Sequence, residues 1–143
     1  MDFTIIDSTT GENPKFTNEV VASFLYQHLE QYGDKKEDIL KCLSYVYNRG
    51  GFITVGHEGD DIKGIVVIND THMDGYIPEH ILVYIAVDSS TRGKGYGRKL
   101  MEKVLGTCKG NVALHVEPDN PAKHLYEKLG FTNKYLEMRY VKK

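Results

Sequence analysis

The sequence predicts an α/β domain in which a mixed β-sheet is flanked by about four helices. Three observations lead to this prediction. Short β-branched runs alternate with segments of helical periodicity, turn residues separate them, and a strand–helix–strand unit runs from Ile81 to Val116. The two strands of such a unit should be parallel and joined by a right-handed crossover. The expected element order is β-α-α-β-β-β-α-β-α-β.

Length and composition limit what the chain can be. With 143 residues it is long enough to bury a proper core, and we expect residues 1–143 to form one domain. A net charge of −2 gives no overall attraction to nucleic acid or to an anionic membrane. No apolar run approaches the length of a membrane span. Cys42 and Cys108 form neither a disulfide framework nor a zinc motif, so we expect a cytoplasmic protein without a metal.

The first half of the chain should supply one strand, two helices and a hairpin. Thr17 or Asn18 can cap the first helix, and Gly33 can stop it. The segment GHEGDD separates two β-branched runs and predicts the hairpin turn. In chain order, the expected elements are the strand Met1–Asp7, helices from Asn18 to Gly33 and from Asp34 to Gly50, and the strands Phe52–Val55 and Ile62–Ile68.

The second half should supply three strands and two helices. The run Ile81–Val87 is almost entirely apolar, which predicts a central strand covered on both faces. The last helix should have Asn120 as its N-cap, Pro121 as its first residue and Gly130 as its stop. The other expected elements are a helix beginning near Gly97, the strand Val112–Val116 and a final strand Lys134–Val141.

A cationic, glycine-rich loop precedes the third helix. The stretch SSTRGKGYGRKLMEKVL, Ser89–Leu105, carries three glycines and, at its start, four cations, Arg92, Lys94, Arg98 and Lys99. Positive charge in a first helical turn costs a few tenths to about 1 kcal/mol per charge. That cost reverses if a phosphate occupies the helix start, where glycines allow close approach to free N–H groups. The spacing fits neither a dinucleotide fingerprint nor a Walker A loop. A plain turn with solvated cations is the alternative.

These residues resemble the signature of the GNAT superfamily, the acetyl-CoA-dependent N-acetyltransferases. That signature is Arg or Gln, two residues, Gly, one residue, and Gly or Ala; Arg92, Gly95 and Gly97 fill it. The stretch HVEPDNPAKHLYEKLGF extends the resemblance, which covers Ile81–Phe131 closely. The resemblance implies a GNAT-like fold and acetyl-CoA as the cofactor.

The resemblance also implies which residues hold coenzyme A. Its pyrophosphate would lie on backbone N–H groups from Gly93 to Arg98. Main-chain groups of Ile85–Val87 would pair with the pantetheine arm, where the central strand splays from its parallel neighbour. Family members often have Asn at the position of Asp119, which Asn120 follows here, and which of the two contacts the cofactor stays open. The full implied set is Ile85, Ala86, Val87, Arg92, Gly93, Lys94, Gly95, Tyr96, Gly97, Arg98, Asp119 and Asn120.

Three residues are expected to take part in catalysis. Tyr126 matches the tyrosine that commonly serves as general acid in the family, and a phenol with a pKa near 10 stays protonated at neutral pH. Its helical spacing alone would make it a core tyrosine. Glu79 and His80 begin the central strand, from which related enzymes often draw a base. His115 is a second choice for the base.

The expected function is acetyl transfer from the thioester to a primary amine, by direct attack in a ternary complex. The alternative is a non-catalytic acyl-CoA-binding module. A nucleic-acid binder is disfavoured because the cationic cluster is short. The acceptor is expected to be a small-molecule or peptide amine. Since 13 residues follow Gly130, a partner in a homodimer could supply a wall of the acceptor site. Candidate lining residues are the acidic, aromatic segment Asn69–His80 and Tyr26, Tyr32, Tyr45 and Tyr47.

Overall fold

The computed structural model describes residues 1–143 and places a five-stranded mixed sheet between two helical layers. Its elements are β1 Asp2–Ile6, α1 Asn18–Leu29, α2 Lys36–Asn48, β2 Gly51–Glu58, β3 Asp61–Asp70, β4 His80–Val87, α3 Tyr96–Thr107, β5 Val112–Leu114 and α4 Ala122–Lys128. Strand order in the sheet follows chain order. All neighbouring strands are antiparallel except β4 and β5, which are parallel. The predicted fold class and the crossover are confirmed.

Two apolar clusters cover the two faces of the sheet. Helices α1 and α2 contribute Val21, Leu25, Ile39 and Leu43 to one cluster. Helices α3 and α4 contribute Leu100, Met101, Val104 and Tyr126 to the other. The strands buried on both faces are β2 and β3, whereas every second residue of β4 is only half-buried. The prediction that β4 would be fully covered is therefore wrong, because one of its faces borders the cavities described below.

Helix α3 lies close to the sheet because β3 has a glycine beneath it. A Cβ on Gly64 would lie 2.4 Å from Leu100 Cδ1 and 3.0 Å from the Ala86 carbonyl oxygen. Leu100 itself is fully buried. At the start of α3, Gly97 lies beside Val87, the last residue of β4. This packing brings the first turn of α3 to the carboxyl end of β4.

The predicted helix caps form as side-chain hydrogen bonds. Thr17 Oγ1 accepts the Val20 N–H at 3.2 Å, and Asn120 Oδ1 accepts the Ala122 N–H at 3.0 Å. Helix α1 ends at Leu29, earlier than predicted, and a single 3₁₀ turn follows it. None of the helices combines the length and the apolar character needed to cross a membrane.

The last strands differ from the prediction. Strand β5 stops at Leu114, and the final strand expected over Lys134–Val141 does not form. A strand pattern describes side chains suited to a pleated surface, but a strand also needs a neighbour for its backbone groups. The edge that β5 offers is three residues long. The final segment keeps its apolar side chains exposed, namely Tyr135, Leu136, Met138, Tyr140 and Val141.

Two glycine-to-alanine substitutions should change stability in opposite directions. Gly64→Ala should lower the free energy of unfolding by about 1–3 kcal/mol, because the added methyl overpacks the contact with Leu100. Gly106→Ala should raise it by about 0.5–1 kcal/mol, because Gly106 lies in α3 with open space around its Cα. Urea denaturation of both variants and of the wild type measures these changes in the free energy of unfolding. A Gly64→Ala variant as stable as the wild type would contradict the close approach of α3.

Candidate active site

Strands β4 and β5 pair over three residues and then separate. Their parallel register begins with His80 opposite Val112 and ends with Leu82 opposite Leu114. From there to Val87, β4 pairs with β3 alone. One side of β4 is therefore open along the second half of the strand.

The open side of β4 carries free backbone groups at alternate residues. The Asp88 N–H donates to the Lys63 carbonyl at 2.9 Å. Because bonded and non-bonded pairs alternate along antiparallel strands, Ala86 is bonded to β3. Ile85 and Val87 then direct their N–H and C=O groups away from β3, toward the gap. Of the three residues expected to pair with pantetheine, these two offer backbone groups to a ligand.

The glycine-rich loop leads into α3 with a row of free N–H groups. We call Arg92–Arg98 the anion loop. Gly93 and Gly95 have φ angles of 86° and 79°, and Gly95 is the N-cap of α3. N–H groups at a helix start that point away from the chain form an anion-binding site. The N–H groups without a partner in the chain are those of Arg92, Gly93, Gly95, Tyr96, Gly97 and Arg98.

The side chains of the anion loop leave it positively charged. Arg92 Nη2 lies 3.0 Å from Glu30 Oε1, and Arg98 Nε lies 3.8 Å from Glu102 Oε2. Both pairs are solvent-exposed, and such pairs contribute at most about 1 kcal/mol each. Lys94, the third cation of the loop, and Lys99, which follows the loop, are in no ion pair. Backbone and side chains therefore favour the same kind of ligand, an anion.

Two cavities open along the separated part of β4. The loop cavity, of about 320 Å³, lies beside the anion loop. Among the residues expected to bind the cofactor, its lining includes Ile85, Ala86, Val87, Arg92, Gly97 and Asn120. The strand cavity, of about 360 Å³, lies between β4 and β5. Its polar lining includes Tyr32, Asp34, Tyr84, His115, Glu117 and Arg139. Arg139, from the carboxyl-terminal segment, is part of this lining.

Tyr126 lies where the two cavities meet. It lines both of them, its residue is 6% exposed, and its hydroxyl has no hydrogen-bond partner in the chain. Burial raises the pKa of Tyr126 to about 12. Helix α4 carries it on the face that packs against the sheet, with its ring centroid 5.9 Å from that of Phe131. The arrangement provides a neutral, unengaged proton donor between two cavities.

The strand cavity contains a polar pair that sequence reasoning missed. The Tyr84 hydroxyl donates to Asp34 Oδ2 at 2.5 Å. Burial, and then the neighbouring carboxylate, raise the pKa of Tyr84, which keeps its hydroxyl a donor. In the sequence, Tyr84 belongs to an apolar strand and Asp34 to a helix start, 50 residues apart. No local pattern connects them.

Neither Glu79 nor His80 lines the loop cavity or the strand cavity, the two cavities that Tyr126 lines. The Gly110 N–H donates to His80 Nε2 at 3.2 Å, which assigns the ring proton to Nδ1. That nitrogen lies 2.9 Å from Asp70 Oδ1. With both nitrogens engaged, His80 ties the start of β4 to the end of β3 and to the loop before β5. The position gives no support to the expected base role, whereas His115 lines the strand cavity.

The remaining expected residues divide between the cavities and the surface. Asn120 caps α4 and lines the loop cavity, while the Asp119 carbonyl accepts the Tyr32 hydroxyl at 3.3 Å. Of the four tyrosines expected as lining residues, only Tyr32 lines either of the two cavities. No residue of Asn69–His80 lines either of them. The two cavities therefore give no support to that part of the expectation.

Comparison with known proteins gives two kinds of match. A model of the acetyltransferase (GNAT) family matches residues 13–131. A 5-NmdU N-acetyltransferase from Pseudomonas phage PaMx11 is 34% identical over 101 residues, which are 69% of this chain and 69% of that protein. A mycothiol acetyltransferase from Rhodococcus erythropolis is 37% identical over 75 residues, 48% of this chain and 25% of that protein. Among solved structures, the aminoglycoside N-acetyltransferase AAC(6')-Iy in complex with CoA superposes with a TM-score of 0.71. The match covers 99% of this chain and 93% of that one at 18% identity, so it shows a common fold.

Reversing one charge in the anion loop should weaken the binding of coenzyme A. Arg98→Glu should raise the Kd by about tenfold, because a carboxylate in the first turn of α3 repels phosphate. Lys103→Glu makes the same charge change on the same helix, but Lys103 lies over the Phe3 ring, outside the loop cavity. Isothermal titration calorimetry with coenzyme A compares the two. An equal loss of affinity for coenzyme A in the two variants would mean that the net charge of α3, and not the anion loop, determines binding.

Proposed function

Because the chain belongs to the acetyltransferase (GNAT) family, we propose that it moves the acetyl group of acetyl-CoA to a primary amine by direct attack in a ternary complex. The single observation that carries this proposal is the position of Tyr126. Its buried, unengaged hydroxyl lies between two cavities, one beside an anion site and the other between the separated strands. Direct transfer requires that donor and acceptor meet, and the two cavities share Leu29, Tyr32, Ile85 and Tyr126.

The residues of this chain fit two polar parts of coenzyme A. The row of free N–H groups in Arg92–Arg98 suits the pyrophosphate, and the free backbone groups of Ile85 and Val87 suit the amides of the pantetheine arm. Asn120 lines the same cavity, so we favour it over Asp119 as a cofactor contact. When bound, acetyl-CoA supplies a thioester carbonyl carbon that a neutral amine can attack, with coenzyme A thiol as the leaving group.

Tyr126 is proposed as the general acid that donates its hydroxyl proton to the departing thiolate. Its neutral state at physiological pH and its lack of a competing acceptor both suit this role. The amine must lose a proton as its nitrogen bonds to the acetyl carbon and the carbon–sulfur bond breaks. His115 lines the strand cavity and is the better-placed base, in contrast to His80, whose ring nitrogens are both engaged.

The alternative function, an acyl-CoA-binding module without turnover, requires only the loop cavity. The strand cavity has no place in that function, yet it is as large and it also reaches Tyr126. We therefore propose catalysis in preference to binding alone.

Tyr126→Phe should lower kcat for amine acetylation by about a hundredfold or more, the usual contribution of a positioned general acid. The Kd for coenzyme A should stay unchanged, since the proposed cofactor contacts are the anion loop, Ile85, Val87 and Asn120. Tyr76→Phe is the matched control, because Tyr76 is exposed and outside both cavities. Release of free thiol, measured against a panel of primary amines, gives kcat. Absence of turnover in the wild type with every amine, despite acetyl-CoA binding, would favour the binding module.

The pH profile of kcat gives a separate check on Tyr126. Burial raises its pKa from the usual value of about 10 to about 12, so the hydroxyl should remain protonated up to about pH 11. We expect no alkaline fall in kcat below that pH in the wild-type enzyme. Initial rates at saturating substrates, corrected for chemical hydrolysis of acetyl-CoA, measure it. A fall in kcat near pH 10 that vanishes in Tyr126→Phe would contradict the raised pKa.

A further inference from the structure

The charges of the strand cavity are not balanced within the chain. Its lining contains two carboxylates, Asp34 and Glu117, and neither is in an ion pair. Its one Arg or Lys, Arg139, is exposed and lies 2.8 Å from Glu137, so it offsets only part of this charge. The cavity lining therefore carries an excess of negative charge.

One of these carboxylates is held in a fixed orientation. The Tyr84 hydroxyl bonds Asp34 Oδ2, while Asp34 Oδ1 has no partner in the chain. Tyr84 is 6% exposed and lies in the middle of β4, so its own position is set by the core. A surface carboxylate at a helix start would normally turn freely in solvent. Here, one oxygen is anchored and the other is left for a ligand.

A third polar group marks the inner end of the cavity. Tyr126 is 6% exposed, lines this cavity as well as the loop cavity, and has a hydroxyl without a hydrogen-bond partner in the chain. The exposed Asp34 and Glu117 lie toward solvent, whereas Tyr126 lies in the interior. An acceptor that reaches Tyr126 with one end must leave its remaining part near the two carboxylates.

We propose that the strand cavity selects an amine that carries a second positive charge, which Asp34 and Glu117 bind while the first amine reaches Tyr126. Asp34 and Glu117 are binding residues for this second charge. Tyr84 is a positioning residue that acts through Asp34. The inference rests on the proposed acetyltransferase function and narrows its acceptor to dicationic amines.

The test compares acceptors that differ only in the second charge. Putrescine and its longer diaminoalkane homologues are paired with amino alcohols of the same lengths, which keep one primary amine and replace the other by a hydroxyl. With the wild-type protein, the best diamine should have a kcat/KM at least about tenfold above its amino alcohol, since two exposed ion pairs contribute a few-fold each. Equal values for each pair would overturn the inference.

Variants locate the effect in the strand cavity. Asp34→Asn should raise the KM for the diamine about fivefold with kcat nearly unchanged, and should leave the amino alcohol unaffected. Tyr84→Phe should also raise the KM for the diamine, but by less than fivefold, because the Asp34 carboxylate remains. Asp74→Asn removes a carboxylate outside both cavities and is the matched control. An equal effect of Asp34→Asn on both acceptors would overturn the inference.

Binding without turnover separates this inference from the proposed function. Calorimetric titration of the diamines into the protein saturated with coenzyme A should give a Kd that rises about fivefold in Asp34→Asn. This result would support the dicationic acceptor even if Tyr126→Phe left turnover unaltered. Undetectable diamine binding by the wild type, together with acetylation of other amines, would overturn the dicationic acceptor and leave the acetyltransferase function standing.

Discussion

The early separation of β4 from β5 is the constraint on which the rest of the site depends. A strand in the middle of a sheet normally bonds on both sides, because unpaired backbone groups are costly away from water. Here the pairing with β5 ends at Leu82, and Ile85 and Val87 face a gap. The gap is what joins the two cavities, and α4 places Tyr126 at their junction. A β5 paired along its whole predicted length would close the gap and leave a tyrosine buried in an ordinary core.

The position of α3 adds a second requirement, that the end of the gap meet an anion site. Leu100 packs where Gly64 leaves room for it, which sets the first turn of α3 beside Val87. Positive side chains in that turn oppose the helix dipole, and the exposed pairs with Glu30 and Glu102 offset this only slightly. A local electrostatic conflict that packing does not require is typical of a functional site, where the ligand resolves it.

Local features of the chain were predictable, and contacts between distant segments were not. Thr17 and Asn120 act as caps because capping depends on the residue and its nearest neighbours. The anion loop was likewise predictable from the sequence, since its glycines, its cations and the helix start are contiguous. The Tyr84–Asp34 pair needed the fold to bring two segments together. For His80, the sequence marks the start of a strand, but not which part of that strand borders a cavity.

The two cavities differ in electrostatic character, and this difference bears on how two substrates are sorted. The loop cavity adjoins the free N–H groups of the anion loop and has Arg92 paired with Glu30 in its lining, whereas the strand cavity carries two carboxylates without ion pairs. An anionic donor is attracted to the first and repelled by the second, and a cationic acceptor experiences the reverse. Tyr126 lies where the two fields meet. The two proposed substrates would then bind on opposite sides of Tyr126, which is the arrangement that the proposed ternary complex requires.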